Sequence, residues 1–146
     1  MSGPPNYTTT ITPDKTAAEC VQLLGHYGAE QATVFFAPDG VPTGLAFILD
    51  PGSGQRGYKI DVNFNRTQAI LARQSPKTKA DLAQAQRTAW RTLRDWLAYQ
   101  LSMINTGLLE AEQALFSYEV DDQGRTRWDL QAEQRRSVTS GAVVVR

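Results

Sequence analysis

Arg87, Arg91 and Arg94 stand at i, i+4 and i+7 in RTAWRTLRDWLAYQLSMI, residues 87–104, a stretch that also holds Trp90, Trp96 and Tyr99. On a helix that spacing sends three guanidinium groups off one side. Cations that track phosphates beside rings that stack on unpaired bases are the chemistry of sequence-tolerant single-strand binding, at about 1–3 kcal/mol per stacked base. Arg66, Lys77 and Lys79 precede the row without matching acids. The expected contact set is therefore Arg66, Lys77, Lys79, Arg87, Arg91 and Arg94 for phosphates, with Trp90 or Trp96 for stacking, and single-stranded DNA as the favoured ligand. The competing reading makes the arginines a solvated face and the tryptophans core anchors.

The formal charge of zero conceals segregation. Residues 1–55 carry one base against five acids, net −4, and residues 56–94 carry nine against two, net +7. Residues 95–122 hold six acids and no base, and residues 123–146 hold five bases against two acids, net +3. Blocks of alternating sign create local fields on a neutral molecule, and the central block is where an anion is drawn first. The same pattern supports a rival reading: a protein-interaction module, bound to a host factor or paired with itself, in which acidic and basic blocks of two molecules meet.

Catalytic chemistry finds few residues. One cysteine, Cys20, and one histidine, His26, cannot build a thiolate or imidazole zinc site, so no metal and no cofactor are expected. Glu110 with Glu112, or Asp121 with Asp122, are the candidate carboxylate pairs for a Mg²⁺-dependent nuclease. Residues two apart on a helix diverge, and adjacent acids before Gln-Gly read as a turn, so the chain reads as a non-enzyme. The loop Pro51-Gly52-Ser53-Gly54-Gln55-Arg56-Gly57 lacks the Lys-Ser/Thr ending of a P-loop and lies between strands, which makes it a hairpin connection.

The elements that must position these residues are legible in outline. Thr12 caps a helix that opens on Pro13 and stops at Gly28. Residues 32–36 and 41–49 form a hairpin around Pro38-Asp39-Gly40, and Tyr58, Ile60 and Val62 alternate with Lys59 and Asp61 as a third strand. Asn63 or Asn65 starts a short helix, Thr78 opens the longest one over about 79–105, and residues 108–118 read as a further helix. The fold class expected is α+β: a helix, a three-stranded antiparallel sheet, then a helical C-terminal half with one long amphipathic helix. Residues 1–11 are assigned as a flexible arm or short strand, 12–130 as one domain and 131–146 as a tail. No run approaches the roughly 18–20 apolar residues of a membrane span, and residues 1–10 lack the pattern of a signal peptide, so a cytoplasmic protein without membrane contact is expected.

Ala89-Trp90-Arg91, Asp95-Trp96, Gln100-Leu101 and the Gly124-Arg125-Thr126 turn resemble the C-terminal half of small proteins encoded by bacteriophages and prophages. The resemblance covers about the last two-fifths of the chain and transfers no catalytic role. It implies a mobile-element setting, in which accessory proteins act on DNA or on host machinery.

Overall fold

A computed structural model describes residues 5–50, 52–74 and 81–140. The order is α1 (Pro13–His26), β1 (Gln31–Phe36), β2 (Pro42–Leu49), β3 (Arg56–Asp61), α2 (Phe64–Gln74), α3 (Leu82–Asn105), α4 (Ala111–Ala114), a 3₁₀ turn (Phe116–Tyr118) and α5 (Arg127–Ser140). The α+β class and the long helix stand as expected. The three strands form one antiparallel sheet in sequence order.

Strand alternation decides which face is covered. Leu45, Phe47 and Leu49 of β2 and Tyr58 and Ile60 of β3 are buried, and α1 and α3 lie over them. Thr33, Phe35, Ala46 and Lys59 fall on the other, open face, as the period of two requires. Gly44 holds the middle of that open face because a Cβ there would sit 3.0 Å from the Ile60 carbonyl oxygen and 3.3 Å from Asp61 Oδ1.

The helix starts follow capping chemistry. The Thr12 side chain accepts from the Lys15 N–H at 3.3 Å, with Pro13 in the first turn where its missing N–H costs nothing. Asn63 Oδ1 accepts from the Arg66 N–H and starts α2. The α3 cap is Asp81, whose carboxylate accepts from the Gln84 N–H at 2.8 Å. The expected start at Thr78 lies outside the described residues.

Three boundaries differ from expectation. The arm forms no strand among its described residues; it lies along α3, where Gln84 Nε2 donates to the Tyr7 and Thr9 carbonyls and Thr88 Oγ1 donates to the Asn6 carbonyl. Residues 108–118 hold only α4 and the 3₁₀ turn, because Gly107 at φ +82° ends α3 and the chain turns back to bring Leu115 into the core. Beyond residue 130 the chain continues α5 to Ser140.

Candidate binding surfaces

The arginine row is the place to test the first expectation. Arg87, Arg91 and Arg94 do leave one side of α3, but that side is the shoulder of its core-facing surface and turns toward α1 and the arm. Arg91 Nη1 donates to Glu19 Oε2 of α1 at 2.7 Å, and Arg94 lies 3.7 Å from the other oxygen of the same carboxylate and 3.4 Å from Asp95. At 3.7 Å the Arg94 contact is charge attraction without a hydrogen bond, and its Nε stays buried and unpartnered. Arg87 donates to the Thr9 carbonyl and to Gln84 Oε1. The hydrogen bond from Arg91 holds the Glu19 carboxyl below its ordinary range, against the opposing effect of burial. Three cations expected to meet phosphate thus fasten α1 and the arm to α3.

Trp90 is equally committed. Its side chain is 0% exposed, and its indole N–H donates to the Pro42 carbonyl of β2 at 2.8 Å. A ring in that position cannot stack on a base, so the stacking role proposed for Trp90 is corrected: it is the central anchor between α3 and the sheet. Trp96 keeps an accessible edge. It meets Tyr118 edge to face at 5.4 Å between ring centres and lines a groove of about 530 Å³ between β3, α2 and α3.

That groove also contains Arg66, so the structure brings together two of the eight expected residues. Val62, Ile70 and Leu93 give it an apolar floor, with Arg66 and Asp61 at the rim. Arg66 and Arg73 of α2 form no ion pair among the described residues. Lys77 and Lys79 lie outside the described residues.

The acids are held by neighbouring donors. Glu112 sits 3.0 Å from Arg56, Glu119 lies 2.8 Å from Arg127, and the Asp121 carboxylate accepts from the backbone of Gln123 and Arg125. Those backbone donors, that of Arg125 foremost, hold Asp121 below its ordinary range, which is the signature of a turn. Among the described residues no three His, Cys, Asp or Glu side chains converge as a metal site, and no helix is long and apolar enough to cross a membrane. Burial pushes the Cys20 thiol up to about 12, far from a nucleophile's range.

The surface that sequence reasoning underrated is C-terminal. Thr126 and Asp129 cap α5 reciprocally: Thr126 Oγ1 accepts from the Asp129 N–H, and Asp129 Oδ2 accepts from the Thr126 N–H. From 127 to 138 every residue except Ala132 is exposed, and among the described elements α5 packs chiefly against the 3₁₀ turn. Phe116, Trp128 and Val138 are 54%, 55% and 44% exposed, with Arg127 4.3 Å over the Phe116 ring and Arg135 5.6 Å over the Trp128 ring. The Thr-x-x-Asp pattern was readable beforehand; the absence of an apolar stripe after it concealed the helix. Comparison of the chain with protein-family models, curated proteins and solved structures finds no match.

Proposed function

We propose that the chain is a non-catalytic protein-interaction module that docks on its partner through α5 and the 3₁₀ turn. The observation that carries this reading is that α5 packs on one side, against the 3₁₀ turn, and leaves the rest of its surface exposed. Isolated helices shorter than about 12–15 residues are marginal in water, because nucleation is costly and helices in proteins are held by packing. A 14-residue helix with a specified start, packed chiefly against a three-residue turn, gains its second wall from a partner. Its composition agrees: Trp128, Leu130, Arg127, Arg135 and Arg136 with no lysine, matching the enrichment of aromatics and arginine and the depletion of lysine at interface centres. About half of Phe116 and of Trp128 is open, roughly 200 Å² in all. The mobile-element resemblance of the C-terminal half makes a host protein the natural partner.

The test is affinity capture with the wild type and with a Phe116→Ser/Trp128→Ser variant, followed by hydrogen exchange on the purified complex. Protection along 127–138 and loss of the partner by a correctly folded variant support the reading. A partner retained by the variant removes it.

A second reading, nucleic-acid binding, is supported by Arg66 and Trp96 sharing one groove, with Arg66 in no ion pair among the described residues. Fluorescence anisotropy with labelled single-stranded DNA at two salt concentrations addresses it. Salt-dependent binding weakened by Arg66→Ala with Trp96→Ala would favour this reading, and no binding at low salt would end it.

A further inference from the structure

The two edges of the sheet are finished differently. The outer edge of β3 is closed by the chain itself: Tyr58 and Glu119 form an antiparallel bridge, and the Val120 N–H donates to the Gly57 carbonyl at 2.9 Å. Gly57 makes room for this, since a Cβ there would lie 3.0 Å from Val120 Cγ2. No described residue closes the outer edge of β1 in this way. Its six residues, QATVFF, are rich in strand formers and include neither a charge nor a proline, the devices with which open edges are usually protected. Phe35 and Phe36 are 39% and 59% exposed.

We infer that β1 pairs with β1 of a second copy of this chain, antiparallel about a two-fold axis beside Thr33, to give a continuous six-stranded sheet. The occupant is a second copy because of charge. A two-fold axis sets residues near it against their own counterparts, so any charge there meets its like. β1 is neutral along its whole length, and a strand selected for an unrelated charged partner would carry the complement. In this register Thr33 faces its counterpart and Gln31 faces Phe35 on the open side of the sheet, while Ala32 faces Val34 on the covered side. The alternation of each strand is preserved across the axis. This inference stands independently of the role given to α5.

Light scattering of the full chain over a concentration series reads the assembly directly. The expected result is a concentration-dependent dimer that Thr33→Lys weakens by about tenfold or more and that mixing Thr33→Lys with Thr33→Glu chains restores. Thr33 is exposed, so the melting temperature of dilute protein checks that each variant folds. Thr33→Cys should cross-link to itself under mild oxidation, with Cys20 silent at 0% exposure. A chain that stays monomeric throughout the series overturns the inference. So does a dimer that ignores the Thr33 charges, does not cross-link through Thr33→Cys and is abolished by Phe116→Ser/Trp128→Ser; that result would place the contact on α5.

Discussion

Replacing Trp90 with phenylalanine separates a core anchor from a stacking platform. The substitution deletes the indole N–H that meets the Pro42 carbonyl at 2.8 Å, and Pro42 is itself fully buried, so an acceptor loses its partner away from water. An unsatisfied buried group costs about 1–3 kcal/mol. The smaller ring adds a void where Trp90 is 0% exposed, about 1 kcal/mol more, for a total of about 2–4 kcal/mol. For a chain of this length that is about 3 °C of melting temperature per kcal/mol, so a fall of about 6–12 °C is expected. Thermal and urea melts followed by circular dichroism measure it, with the urea slope unchanged if the native surface is unchanged. A variant that melts within about 2 °C of the wild type would refute the anchor assignment. Loss of oligonucleotide binding without loss of stability would return Trp90 to the surface role.

The remaining expectations are smaller in scale. Arg91→Ala should cost about 1–2 kcal/mol, since the pair with Glu19 is half-buried and short. Glu19 is held below its ordinary value of 4.5, so its contribution is fully present above that pH and is lost as pH falls through the lower folded value; Glu19→Gln should flatten acid unfolding in that window. Gly44→Ala should destabilise by about 1–3 kcal/mol in a urea melt, because the new Cβ meets the backbone oxygen of Ile60. Cys20 should resist a thiol reagent in the native protein and react on unfolding, as burial pushes its thiol up to about 12.

Local signals carried the sequence reading a long way. The Thr12-Pro13 start, the Pro38-Asp39-Gly40 hairpin and the alternation of β3 are each written in adjacent residues, and all three elements stand where those residues put them. The role of α3 was less legible because its rotation is set by distant partners. Leu97 and Leu101 lie in the core, and α1 on one side and α2 on the other move the centre of burial to Trp90. The arginine shoulder is covered by Glu19 and the Thr9 carbonyl, groups more than 70 residues away in the chain. No spacing rule within 87–104 could report that. Among the described residues, Arg66 and Trp96 share a groove that the folding of α2 onto α3 creates, while the arginine row is held apart from it against α1 and the arm.

The arm zipped along α3 sets a timetable for synthesis. Its bonds join Tyr7, Thr9 and Asn6 to Gln84, Arg87, Thr88 and Asp95 across separations of 75 to 89 residues. At about 5–20 residues per second on a ribosome, the arm waits roughly 4 to 18 seconds for its partners. During that interval Glu19 also lacks its guanidinium, and the sheet lacks the indole that α3 supplies. The N-terminal half therefore leaves the ribosome as an unfinished half-core, and a translational pause before residue 95 would lengthen its exposure to aggregation and to chaperones.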